Sequence, residues 1–223
     1  MYKRQTVTNA KAVLRDGTTR LKKDGEIIHH HSGVAGFAEY AVLPKEALVR
    51  IDKHIPFEHA ALFGCGVVTG VGAVINTASA REEDSIAIVG LGGVGLSALL
   101  ASIAIGSKKT IAIDLSNEKL NLAHDLGADH ILNPNDANFL ERIRDLTSGG
   151  ANIAIETAGS GRALKTAYDI TRRGGTTVAA GMPGPKVDIT LSHLSIAAEE
   201  RIIKGSYMGC LLYTSPSPRD VVP

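Results

Sequence analysis

The sequence has no Trp and only four Phe and five Tyr, too few aromatic faces for a platform on which nucleobases stack. Its two cysteines, Cys65 and Cys210, supply no disulfide framework, which favours a reducing, cytoplasmic setting. A formal net charge of +1 leaves no footprint for nucleic acid or an anionic bilayer, so neither is expected as a partner. From Met1 to Asp16 charges are scattered and no apolar run occurs, so no cleavable leader is expected there. Residues 60–80 and 85–107 carry no charge and are long enough to cross a bilayer. Glycines crowd both, however, and Thr69, Asn76 and Thr77 interrupt the first. The second opens Ile86-Ala87-Ile88-Val89 and then turns through glycine, which reads as buried strand, turn and helix.

Both ends read as foreign to the protein. Met1-Tyr2-Lys3-Arg4-Gln5 can be written GTG-TAT-AAG-AGA-CAG, with GTG as the start codon. The opposite strand of that DNA, read one base later, encodes Cys-Leu-Leu-Tyr-Thr, which is Cys210-Leu211-Leu212-Tyr213-Thr214. The pair resembles one inverted repeat, that of the transposase adapter used to prepare sequencing libraries. Residues 1–5 and 210–223 are therefore expected to be non-native and are left out of fold reasoning. The native frame is expected to run past both ends.

What is present is an alternation. Strand-like apolar runs at 85–90, 110–114, 130–133, 152–158, 176–181 and 201–207 are separated by helix-like stretches at 118–126, 137–146 and 162–171 and by one running to Gly106. Strands that alternate with helices imply βαβ units and a parallel sheet, covered on both faces and therefore nearly continuously apolar. Right-handed crossovers make this an α/β, doubly wound, Rossmann-like domain. Upstream the texture is more irregular and β-rich. Gly36-Phe37-Ala38-Glu39-Tyr40-Ala41-Val42 reads as a strand, Pro44 and Pro56 punctuate the region, and a helix beginning near Glu58 carries Cys65 at its middle.

The sharpest signal is Val89-Gly90-Leu91-Gly92-Gly93-Val94-Gly95, a G-x-G-x-x-G between a predicted strand and a predicted helix, the context a dinucleotide site requires. Gly90 permits the tight turn, Gly92 lets backbone approach a diphosphate, and Gly95 lets helix and strand pack closely. The helix start then offers free N–H groups and the positive end of the helix dipole. Asp114 follows 19 residues after Gly95, at the end of the second strand. A carboxylate there accepts from the adenosine-ribose hydroxyls and repels a 2′-phosphate, favouring NAD over NADP; Lys119 is placed to reach the same ribose. The bland alternative makes Asp114 a turn or cap residue, a role Ser116 and Asn117 can also fill. A methyltransferase also uses a glycine-rich first turn, but the six-strand alternation fits it less well.

Gly64-Cys65-Gly66-Val67-Val68-Thr69-Gly70-Val71-Gly72 together with the downstream glycine motif resembles the medium-chain zinc-dependent alcohol dehydrogenases, in the branch of the liver-type and glutathione-dependent formaldehyde-oxidising enzymes. Asp16-Gly17-Thr18-Thr19-Arg20, residues 25–31 and residues 37–40 share the likeness. The resemblance implies that residues 6–66 are the remnant of a β-rich, GroES-like catalytic domain and that 67–209 form the NAD-binding domain. It implies Cys65 as a ligand of a catalytic zinc and Thr69 as a residue against the nicotinamide. Gly90, Leu91, Gly92, Gly93, Val94, Gly95, Asp114, Lys119, Gly159, Gly181, Met182 and Tyr207 then line the cofactor. A lone Cys is otherwise a small core residue, and the His29-His30-His31 tract lies in a structural region of the family.

The remaining zinc ligands of the family fall before residue 6, and a catalytic zinc needs three protein ligands. The chain as it stands is therefore expected to be inactive, with NAD and zinc the cofactors and a small alcohol or aldehyde the substrate of a longer, homodimeric protein. Two other readings stay open: a zinc-free reductase of the same superfamily, and a non-catalytic dinucleotide-binding protein.

Overall fold

The computed structural model describes residues 12–14, 16–30, 36–41 and 48–210; the expected adapter-derived residues 1–5 and 211–223, His31, Val42 and Pro44 lie outside these. The chain forms two compact units that part between Ile55 and Pro56.

In the first unit, β1 (Leu21–Lys23) and β2 (Glu26–Ile28) pair antiparallel. Asp24 and Gly25 join them at φ of 50° and 87°. Two consecutive positive φ values make the turn whose twist matches that of a hairpin, and Asp-Gly is a sequence suited to it. The strand expected from Gly36 does not form among the described residues: 37–39 are bends, and Phe37 and Tyr40 are almost fully exposed. An alternating pattern marks one face of a strand, but the ladder needs a partner for its N–H and C=O groups, and among the described residues these have none.

The second unit opens with a continuous helix, α1, Phe57–Thr77, widened to π turns at Phe63–Val67 and Ala73–Thr77. It is long and apolar enough to cross a membrane by composition. Its second half is nevertheless packed inside the unit, with Thr69, Gly70, Gly72, Ala73, Val74 and Thr77 buried. The expected domain division at 66/67 falls inside this helix.

Then come β3 (Ser85–Val89), α2 (Gly93–Ala104), β4 (Lys109–Ile113), α3 (Asn117–Asp125), β5 (His130–Leu132), α4 (Phe139–Thr147), β6 (Ala151–Glu156), α5 (Gly161–Ile170), β7 (Thr171–Ala179), α6 (His193–Ala198) and β8 (Ile202–Gly205). The six strands β3 to β8 are all parallel, in the order β5-β4-β3-β6-β7-β8. The stretch 85–107 thus resolves into strand, turn and helix. Strand ends differ from the sequence reading by one or two residues, as ends do. The exception is β7, which starts at Thr171 rather than 176. Its pairing jumps from Ala151↔Thr171 to Ile153↔Thr176, and Gly174, at φ 66°, lets the extra residues loop out of the ladder. The short α6 was not legible as a helix; its mark is Ser192, whose hydroxyl accepts from the Ser195 N–H at 3.3 Å.

Side chains of β3 alternate between two cores. Ile86 and Ile88 pack with Val74 of α1, Ala98 and Leu99 of α2 and Leu120 of α3. Ala87 and Val89 pack with Phe139 and Ile143 of α4 and Ala167 and Ile170 of α5. Helices therefore cover both faces, and each fully buried Ile contributes about 1.5–3 kcal/mol. Because β3 lies between β4 and β6, the chain winds outward from it in both directions, and the carboxyl ends at this switch point form a crevice. Over that crevice, α1 and α2 touch backbone to backbone: a Cβ at Gly70 would stand 2.2 Å from the Val94 carbonyl oxygen and 2.7 Å from the Ala98 nitrogen.

Gly70→Ala is expected to lower unfolding free energy by about 1–3 kcal/mol through overpacking. Gly92→Ala, whose Cβ would meet nothing within 4 Å, should stay within about 0.5 kcal/mol of wild type. Urea denaturation of the two variants checks this; equal stability would contradict the helix contact.

Candidate functional site

The turn from β3 into α2 carries four glycines, Gly90, Gly92, Gly93 and Gly95. Gly90 has φ +97°, where a side chain is strained, while its N–H still extends the ladder to the Ile113 carbonyl at 2.8 Å. A Cβ at Gly95 would fall 1.8 Å from the Gly90 oxygen, so only glycine lets the helix sit on the strand end. That same oxygen accepts from the Thr157 hydroxyl at 2.6 Å, and a Cβ at Gly90 would strike the Ala158 methyl at 2.8 Å. Gly92 and Gly93 differ: both are exposed, with open space where a Cβ would be. Gly92 caps α2 without a side-chain bond, so the first N–H groups of the helix stand without intrahelical acceptors, beside Leu91 and Val94. The form of this cradle fits a diphosphate.

Asp114 stands just past β4 and reaches back to this turn. Its Oδ2 accepts the Leu91 N–H at 2.7 Å and lies 3.8 Å from Lys119 Nζ; its Oδ1 accepts the Ser116 N–H at 2.9 Å. The α3 N-cap is Ser116, whose hydroxyl accepts from the Lys119 N–H at 3.4 Å. Asp114 is therefore not needed as the cap. A carboxylate offers about four lone-pair sites, so these bonds leave acceptor capacity toward the crevice.

The other expected residues divide. Gly159 (φ +68°), Gly181 and Met182 meet where the turns after β6 and β7 approach: a Cβ at Gly159 would lie 2.7 Å from the Met182 oxygen, and one at Gly181 2.2 Å from the Gly159 nitrogen. Met182 and Tyr207 have exposed side chains, and Tyr207 follows β8 at the same carboxyl rim. Ser206 ties that segment to the sheet, its N–H bonding the Ala179 carbonyl at 2.8 Å. Thr69 is buried in α1 beside the Gly70 contact. Cys65 is exposed and free on α1. Among the described residues no group of three or more His, Cys, Asp or Glu gathers to hold a metal ion, so the described residues do not fit a catalytic zinc.

The sequence reading missed Thr157 and Glu156. Glu156 ends β6 and is 2% exposed. Its Oε1 accepts the Gly159 N–H at 2.5 Å. Burial raises the carboxyl above its usual range, while the amides of Gly159, Ala158, Ser160 and Gly181 pull the other way. The available signal was an acid closing the apolar run Ile153-Ala154-Ile155. A separate concavity includes Arg144, Gly150, Asp169, Arg173, Glu199 and Arg201; Gly150 and Thr171 put it at the amino ends of β6 and β7, opposite the crevice. There Arg201 is already held by Glu199 at 2.6 Å.

A sequence model for the family described as zinc-binding dehydrogenase matches residues 93–220. The S-(hydroxymethyl)glutathione dehydrogenase of Escherichia coli (strain SMS-3-5 / SECEC) is 34% identical over 205 residues, covering 91% of this chain and 55% of that protein. Among solved structures, an alcohol dehydrogenase zinc-binding domain protein from Burkholderia ambifaria is similar with TM-score 0.81 and 33% identity, over 87% of this chain and 53% of the other. The benzyl alcohol dehydrogenase of Acinetobacter calcoaceticus gives TM-score 0.78 and 31% identity, over 85% and 53%. The chain spans about half the length of the curated relatives it matches. With a doubly wound sheet, a glycine turn at its switch point and a family match over more than half of its residues, this chain belongs to the zinc-binding dehydrogenase family.

Proposed function

We propose that this chain is the dinucleotide-binding part of an NAD-dependent alcohol dehydrogenase. The observation that carries the reading is the joined pair of the open Gly92-Gly93 cradle and the Asp114 carboxylate, 2.7 Å from the Leu91 amide. The diphosphate lies against the amides at the start of α2, where the helix dipole favours negative charge. Asp114 accepts the adenosine-ribose hydroxyls, with Lys119 beside it, and its charge disfavours a 2′-phosphate. Gly159, Gly181, Met182 and Tyr207 border the nicotinamide half, and Thr69 packs against the ring. NAD, when bound, exchanges a hydride with a small alcohol or aldehyde. What these residues contribute is the placement of the ring.

Residues 6–66 are, on this reading, the remnant of a GroES-like catalytic domain, and 67–209 the NAD-binding domain. The whole protein is a cytoplasmic homodimer. Cys65 is a zinc ligand only in company that the described residues do not supply. The chain alone holds no stoichiometric zinc and oxidises no alcohol. A second reading is a zinc-free reductase of the same superfamily, in which Cys65 is merely structural; in the full-length protein, zinc content separates the two.

NADH fluorescence titration should find Gly92→Ala, whose Cβ would stand where the diphosphate approaches the backbone, and Asp114→Asn, which loses a charged acceptor, each weakened about tenfold or more. Asp114→Asn should also narrow the preference for NADH over NADPH. Wild-type affinity in Gly92→Ala would remove the diphosphate from this turn. Elemental analysis and an ethanol-oxidation assay of the chain should both read background. Tightly bound zinc with alcohol turnover would overturn the inactivity.

A further inference from the structure

Glu156 is the only Asp or Glu among the buried described residues, and no cation pairs with it among them. A carboxylate taken out of water without a counter-charge is unfavourable unless its oxygens are hydrogen-bonded. An apolar residue there would avoid that cost but leave the Gly159 amide without its acceptor.

The bonds it makes are to turns. Its Oε1 accepts from Gly159 at 2.5 Å, and the amides of Ala158, Ser160 and Gly181 also act on the carboxylate. Its main-chain carbonyl accepts from the Ala180 and Gly181 N–H groups at 2.9 and 3.0 Å. Gly181 has no room for a side chain on this side, since a Cβ would sit 2.7 Å from Oε1. One residue therefore gathers the turn after β6 and the turn after β7, and it does so with backbone donors that would otherwise be buried unpaired or aimed elsewhere.

We propose that Glu156 is a positioning residue for the dinucleotide crevice: by binding amides of both turns, it fixes the backbone that borders the nicotinamide half, while the adenosine half is held independently at Gly92-Gly93 and Asp114. This rests on the reading of the crevice as a dinucleotide site. Removing the carboxylate frees the Gly159 amide, while the turn after β7 keeps its bonds to the Glu156 main-chain carbonyl, and the loss falls on one half of the ligand.

The test uses the full chain and the probes NADH and ADP. In Glu156→Gln and Glu156→Ala, amide hydrogen exchange at Gly159 should speed up about tenfold or more, that at Gly181 should change less, and NADH affinity should fall by a factor similar to that for Gly159 exchange, the scale of one hydrogen bond to a charged group. ADP affinity should change less than about twofold, since its contacts are remote and additive. Gly181→Ala, which forces the turns apart with Glu156 in place, should reproduce the NADH-selective loss and serves if the Glu156 variants fail to fold. Equal losses of NADH and ADP, or unchanged NADH affinity in these variants, would overturn the positioning role alone. Wild-type protein that binds neither probe would overturn the crevice reading, and this inference with it.

Discussion

The structure depends on a backbone contact that leaves no room for a single methyl group. At Gly95 a side chain would fall 1.8 Å from the Gly90 carbonyl oxygen, so the first turn of α2 rests directly on the end of β3. Helix and strand are thereby brought together at the switch point of the sheet, and the uncapped helix start is aimed into the crevice. The contact between Gly70 and Val94 repeats the device one layer out, pressing α1 onto α2. Both contacts concern glycines whose φ values are ordinary; the requirement is space. Gly90 is the complementary case, where positive φ is the requirement.

Two carboxylates divide the work around this turn. Asp114, partly exposed, keeps a lysine nearby and accepts from the Leu91 and Ser116 amides at the mouth of the crevice. Glu156, buried and with no cation beside it among the described residues, bonds backbone amides, and burial raises its carboxyl. An acid beside water and a cation suits a ligand contact, whereas an acid sealed among amides suits the holding of loops.

The sheet and its glycine turn were legible because their signals are local: apolar runs bounded by turns, and three glycines between strand and helix. Asp114 was legible for the same reason, its spacing from Gly95 following from one helix and one strand. Glu156 was not, since its partners Gly159 and Gly181 are joined by the parallel pairing of β6 with β7, which no local pattern records. The extra residues at the start of β7 escaped because a bulge is set by the partner strand. The strand expected at Gly36 failed for the converse reason: alternation was present, but no neighbour among the described residues completes the ladder. Cys65 stands where the sequence reading put it, in mid-helix, but ligation depends on what converges on it, and among the described residues nothing does.

The glycine turn and the helix start proposed to hold a diphosphate both lie within this chain, whereas its described residues do not assemble a zinc site, and the chain covers about half of its curated relatives. The most direct measurement is a crystal structure of the chain grown with NADH. Density for the diphosphate over the Gly92 and Gly93 amides, with a ribose hydroxyl in hydrogen-bonding reach of Asp114, is the result expected. NADH bound at another surface, with the turn and Asp114 left to solvent, would contradict it.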